Sequence, residues 1–147
     1  MEQPLLFLLK TIPEYASLVE GVIAGQNAAV TGVGQINRSH MIAGLRRDAG
    51  RPIVVLCQDD MAARRTQEEL SCFLGETAPI LPGRDLTFYD AAVVSRSWEQ
   101  KRLRQLYDLA AGKTPIQIMT WESMSLRTLP PHVLNNASFT LETGKEY

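Results

Sequence analysis

From residue 28 onward the chain alternates short apolar runs with stretches in which apolar residues recur every three or four positions. Ile53-Val54-Val55-Leu56-Cys57 is short and has no polar interruption, which predicts a parallel strand covered on both faces. The stretch that follows sets Ala62, Thr66, Leu70, Phe73 and Leu74 on one side of a helix, with Asp59 or Asp60 as its N-cap and Gly75 as its stop. The same reading predicts a strand over 28–31 and a helix over 36–49 with Met41, Ile42, Leu45 and Ala49 inward. Gly50 stops this helix, and Arg46 and Arg47 lie in its last turn. Further on it predicts a short strand over 79–81 and a helix capped by Ser95 and running to about Ala111, with Trp98, Leu103, Leu106, Tyr107 and Ala110 inward. A strand over 116–120, a short helix from Glu122 to about Arg127 and a closing strand over 138–141 complete the series. Ahead of it, 5–9 and 13–25 read as two short helices forming a lid or flank.

Strands that alternate with helices imply a parallel sheet with right-handed crossovers. The expected fold is therefore α/β: a three-layer parallel sheet of the RecA-like, phosphate-loop type, spanning 28–136 behind a helical flank over 1–27. At 147 residues the chain has about the length of one domain. Its 45% hydrophobic and 21% charged residues are those of an ordinary globular protein. A formal net charge of -1 argues against a dedicated nucleic-acid binder, which carries a strong basic excess. The apolar run 5–9 is too short to span a bilayer, and Glu2 stands where a secretion signal carries positive charge, so no membrane association and a cytoplasmic location are expected. Cys57 and Cys72 have no metal-type spacing and read as small buried hydrophobes. His40 and His132 are isolated and read as surface or packing residues.

The most informative stretch is TGVGQINRS, residues 31–39. Strand, glycine turn and helix is the setting of a phosphate-binding loop, G-x-x-x-x-G-K-S/T. Gly32 fills the first position and Ser39 the last, but Asn37 replaces the second glycine and Arg38 the lysine. Such a loop works by aiming consecutive backbone N–H groups at phosphate oxygens, which needs a tightly folded backbone and a compact ammonium. Asparagine tolerates that backbone at some cost, and the planar guanidinium is not a conservative replacement. Gly32, Gly34, Asn37, Arg38 and Ser39 are therefore read as a degenerate remnant, from which no cofactor binding is expected. The alternative is a domain that still binds ATP there. Gly32, Gly34 and Asn37 also fit a dinucleotide-type G-x-G-x-x-G with Asp59 or Asp60 as the ribose acid, although a helix cap is the simpler role for those aspartates.

Two further features bear on partners. Arg96, Lys101, Arg102 and Arg104 make one helix basic, suited to a nucleic-acid backbone or an acidic partner, yet Glu99 and Asp108 interleave as they would on a solvated face. The connection over 82–94 gathers Arg84, Asp85, Phe88, Tyr89 and Asp90; its aromatics suit either an interface or a plug at the sheet end. No catalytic pair stands out.

Taken together, TGVGQINRS, GRPIVVLCQDDMAARRTQEELSCFLG, LTFYD, KRLRQLYDLAAGK and TWESMSLRTLPP, in this order and spacing, resemble the N-terminal module of bacterial transcription-repair coupling factors (Mfd), which is similar to the first domain of the excision-repair protein UvrB. The resemblance covers most of the chain from about Ala28. It implies a UvrB domain 1a-like fold and a role in transcription-coupled nucleotide excision repair of DNA damage. The module would serve recruitment and autoinhibition, without catalysis, inside a longer helicase-related protein. In that parent a separate motor uses ATP and magnesium to translocate on DNA, displaces stalled RNA polymerase and helps recruit UvrA. The implied partners of the chain are the parent's other domains, with UvrA contacted through the adjoining domain, whose start would be 137–147. The few residues between Tyr89 and Trp98 leave no room for the damage-probing hairpin that UvrB carries there. Arg84 and Asp85 stand where the family commonly has a tryptophan and an acidic residue.

Overall fold

Two apolar runs with no charged residue pair side by side and form the centre of the protein. The structure, a computed structural model, describes residues 4–83, 96–139 and 143–144. Strand β1 (Ile53–Cys57) pairs in parallel with β2 (Ile116–Thr120), Ile53 opposite Ile116 and Cys57 opposite Thr120. On the far side of β2, Ile80 bridges Ile118: Leu81 N–H donates to Ile118 O and Ile118 N–H to Pro79 O. The expected strand over 79–81 is thus a single bridge, and the sheet among the described residues is two-stranded. The protein is α/β with a small parallel sheet.

Helices α1 (Pro4–Phe7) and α2 (Pro13–Ile23), with a 3-10 turn over Leu8–Thr11 between them, precede α3 (Gln35–Ala49). Then follow α4 (Asp60–Leu74), α5 (Arg96–Ala110), α6 (Trp121–Ser125) and α7 (Pro131–Asn136). Asp59 caps α4 by accepting the Ala62 N–H at 2.7 Å, as its position before the apolar periodicity predicts. Gly50 and Gly75 end α3 and α4 with φ of 64° and 72°, the left-handed region that glycine enters without cost.

Ile53, Val55, Cys57, Ile116 and Ile118 share one sheet face and pack with Ala43 of α3 and with Ala63 and Leu70 of α4. The chain passes from β1 through α4 on that face to residue 80, beyond β2. Its return to β2 through α5 runs the other way, so a right-handed connection must use the opposite face. Gln117, whose side chain lies on that opposite face, donates to Gln105 of α5 at 3.5 Å. Helix α5 thus meets β2 on the face opposite α4.

The N-terminal helices are fastened to α3. Tyr15 Oη donates to Asp48 Oδ2 at 2.8 Å, Arg47 donates to both Asp48 oxygens, and Arg47 also donates to Leu6 O. Gly44 lets this layer come close: a Cβ there would stand 2.6 Å from Tyr15 Oη. The contact leaves Tyr15 and Leu9 buried.

Several expectations are corrected. Residues 28–31 form no strand; they are exposed, and with Leu9, Leu18 and Met41 they line a cleft of about 730 Å³ between α2 and the glycine turn. An apolar run becomes a strand only where a neighbour accepts its backbone, and none does so here. Leu103 and Ala110 are exposed, because α5 turns Arg102 inward instead. Cys72 is exposed, whereas Cys57 is buried as expected. Beyond the expected elements, Pro131 opens a further short helix, α7. Ser138 and Phe139 are not in a strand, and Thr140 and Leu141 lie outside the described residues, as do Ser95 and 84–90. No helix among the described residues is long and apolar enough to cross a membrane.

Candidate functional site

The start of α3 meets the carboxyl end of β1 in a crevice of about 500 Å³, lined by Gln35, Arg38, Ser39, Asp59, Arg65 and Glu69 among others, whereas Gly32 and Val33 line the cleft against α2. In open α/β sheets ligands bind in the crevice outside the carboxyl ends of the strands. Gly32 has φ of 74°, a left-handed turn. Only Val33 and Gly34 separate it from α3, which begins at Gln35. Asn37, the residue in place of the second loop glycine, is therefore already helical, and no non-glycine among the described residues has positive φ. The stretch that would wrap a phosphate is wound into helix, so its backbone N–H groups from Arg38 onward serve intrahelical bonds, beginning with Arg38 N–H to Gly34 O at 3.1 Å.

The side chains are committed as well. Ser39 is 2% exposed, and its hydroxyl donates to Glu69 Oε2 on α4 at 2.6 Å. In a working loop that hydroxyl faces magnesium. Arg38 Nε donates back to Val33 O at 3.2 Å, and Arg65 donates to Gln35 Oε1 at 3.3 Å. Asp59 is occupied as the cap of α4, not as a ribose ligand. The crevice thus contains Arg38 and Arg65 against Asp59 and Glu69, with no excess of positive charge to attract a polyphosphate. Reading it as a retained ATP site is not favoured. Among the described residues no group of three or more His, Cys, Asp and Glu could hold a metal. His40 is a packing residue, stacked on Phe73 with ring centroids 4.8 Å apart and Nε2 2.9 Å from Leu5 O.

Helix α5 divides the basic cluster. At 100° per residue, Arg96, Lys101 and Arg104 fall within a sector of about 140°, and Arg102 lies nearly opposite its midpoint. The three are exposed, with Arg104 paired to Asp108 at 2.9 Å. Arg102 is not part of that surface. It is 5% exposed and donates to Pro82 O at 2.7 Å and to Ser123 O at 2.9 Å, with its guanidinium 5.9 Å from the Trp98 ring centre. Trp98 Nε1 in turn donates to Gly83 O at 2.7 Å. Arg102 and Trp98 thus bind the chain where it leaves residues 79–81, and burial pulls the Arg102 pKa below its ordinary value. The sequence carried one hint of this, an arginine four residues after a tryptophan on one helix. Arg84, Phe88 and Tyr89 lie outside the described residues.

No family model matches the chain, and no solved structure matches it. A curated protein does: the transcription-repair-coupling factor of Myxococcus xanthus is 24% identical over 141 residues, which cover 90% of this chain and 12% of that protein. The chain is therefore similar, along nearly its whole length, to one stretch of a much longer transcription-repair-coupling factor, and this weak likeness supports a relationship to transcription-repair coupling in general.

Proposed function

We propose that the chain is a non-catalytic, UvrB-like module of a transcription-repair coupling factor, one that acts through protein contacts in UvrA recruitment and in restraining the motor of a longer DNA translocase. The observation that carries this reading is the combination of similarity over 90% of the chain with a glycine turn whose serine is locked onto Glu69. A scaffold that keeps the glycine turn and its helix while spending its loop residues on internal bonds is maintained for its surfaces. ATP and magnesium then belong to the parent's motor, and RNA polymerase and DNA are met through the parent. The exposed cations Arg96, Lys101 and Arg104 offer one such surface.

A chimera tests the proposal: this chain replaces the aligned stretch of the Myxococcus protein. The chimera is expected to recruit UvrA and to keep its ATPase restrained until it meets RNA polymerase. A folded chimera that translocates but recruits no UvrA and runs its ATPase unrestrained overturns the reading. Calorimetric titration of the isolated chain with magnesium and ATP is expected to show no binding; Arg38-dependent binding would restore the nucleotide-site alternative.

A further inference from the structure

Two chain reversals meet at the amino end of the sheet, opposite the crevice beside α3. Gly75 ends α4, and Gly112, with φ of 67°, follows α5, so residues 76–79 lead into the Ile80 bridge and residues 113–115 into β2. The last turn of α3 reaches the same end. Between them lies a cavity of about 390 Å³, lined by Arg46, Glu76, Arg104, Asp108, Lys113 and Thr114 among others. Lys113 is held there by its N–H, which donates to Asp108 O at 2.8 Å, and by its ammonium, 5.1 Å from the Tyr107 ring centre.

The charges in this cavity do not cancel. Arg104 and Asp108 pair at 2.9 Å, whereas Arg46, Lys113 and Glu76 make no ion pair among the described residues, which leaves one positive charge in excess. Thr114 is 7% exposed, and its hydroxyl has no hydrogen-bond partner among the described residues. Asp108 Oδ1 is buried and likewise without a partner. Buried polar groups are costly until they are bonded. The cavity therefore asks for one carboxylate and, next to it, one N–H donor. An acidic residue in a peptide carries both. A phosphate backbone offers acceptors alone, so it would leave Asp108 Oδ1 unpaired and face Glu76 with a like charge. Beyond the cavity, Arg104 also belongs to the exposed face of α5 with Lys101 and Arg96, so the cations continue for about 12 Å along that helix. Lasting interfaces have apolar cores from which charge is depleted. This surface is charged from cavity to rim, as suits a partner that comes and goes.

We propose that the cavity at the amino end of the sheet binds an extended acidic peptide segment of a separate partner protein. One carboxylate of the segment accepts from Arg46, Lys113 and the Thr114 hydroxyl. A backbone N–H beside it donates to Asp108 Oδ1, and further carboxylates follow Arg104, Lys101 and Arg96. This rests on the reading of the chain as a module that acts through protein contacts, but not on UvrA recruitment.

Fluorescence anisotropy tests it with a labelled, end-blocked peptide of alternating Glu and Gly, about eight residues long, which when extended spans the cavity and the α5 track. The chain should bind this peptide saturably, and less tightly as salt is raised. Arg46→Gln and Lys113→Gln should each weaken binding about tenfold or more, and Thr114→Val, which keeps the side-chain shape, about fivefold. Arg127→Gln removes the same charge beyond α6, outside the cavity, and should change binding by less than about twofold. The chimera described above should bind the peptide as the isolated chain does. Four results overturn the proposal: no saturable binding by the wild-type chain; an equal loss in Arg127→Gln, meaning that only net charge is read; tighter binding of inorganic phosphate or of a single-stranded oligonucleotide of the same charge, meaning a phosphate site; or a chimera that refuses the peptide, meaning that the coupling factor itself fills the cavity. Loss of UvrA recruitment by the chimera, with peptide binding intact, would sink the recruitment role alone.

Discussion

The Ser39 hydroxyl donates to the Glu69 carboxylate at 2.6 Å, joining the first turn of α3 to the middle of α4. A hydrogen bond to a charged group in a part-buried setting contributes about 1.5–3 kcal/mol. Ser39→Ala should lower stability in urea by about that much, and Glu69→Gln, which keeps an acceptor, by less. Equal stability of wild type and Ser39→Ala would show that the lock does not matter to the fold.

Gly44 is the point where α3 admits Leu9 and Tyr15. An alanine there would force the Tyr15 ring or its whole helix outward, a type of overpacking that costs about 1–3 kcal/mol. Gly44→Ala is expected to lower the urea midpoint and to expose Tyr15 to solvent quenching. An unchanged Tyr15 signal would mean that the layer shifts freely.

Arg102 is a buried cation bonded to carbonyls, with no carboxylate within 4.0 Å among the described residues. Arg102→Met keeps much of the packing but leaves Pro82 O and Ser123 O without their donor, at a cost of about 2–4 kcal/mol for the two bonds. Arg102→Lys should recover only part of this, because a point charge does not reproduce the fork. The check is thermal unfolding, together with Trp98 fluorescence, which reports release of the Gly83 contact. A neutral Arg102→Met would deny it this role.

The Tyr15, Arg47 and Asp48 group sets two pH limits. The Arg47 hydrogen bonds hold the Asp48 carboxyl below its ordinary pKa, with help from Tyr15 and Lys10. A depressed folded value stabilises above the unfolded value of about 3.9 and is lost as pH falls through the folded value. Burial, then Asp48, pushes the Tyr15 phenol well above 10.0. A raised folded value stabilises below about pH 10 and is lost as pH rises beyond it. Asp48→Asn should therefore flatten the acid limb of a stability profile and Tyr15→Phe the alkaline limb. Limbs unchanged by these substitutions would place the pH dependence elsewhere.

Sequence pattern was most informative where physical causes are local. The uninterrupted apolar run Ile53–Cys57, the uncharged Ile116–Thr120 and the stops at Gly50 and Gly75 could be read because each follows from a few adjacent residues. The pairing of Tyr15 with Asp48 and of Ser39 with Glu69 could not, since each joins residues 30 or more apart. Arg102 was read as surface because burying a lone arginine is rare without a tertiary reason, here two carbonyls that only the fold brings together. Residues 28–31 have strand composition but lack a neighbour, and composition does not carry neighbours. The frame of the glycine turn was legible from spacing; its early winding into α3 was not.

The fastening of α2 to α3 through Asp48 also bears on how the chain tolerates trimming. By their pattern residues 1–27 form a flank, and the Tyr15, Arg47 and Asp48 bonds together with the close helix approach at Gly44 hold that flank on α3. A chain trimmed to residue 28 would leave the outer side of α3 bare and Asp48 without its phenol.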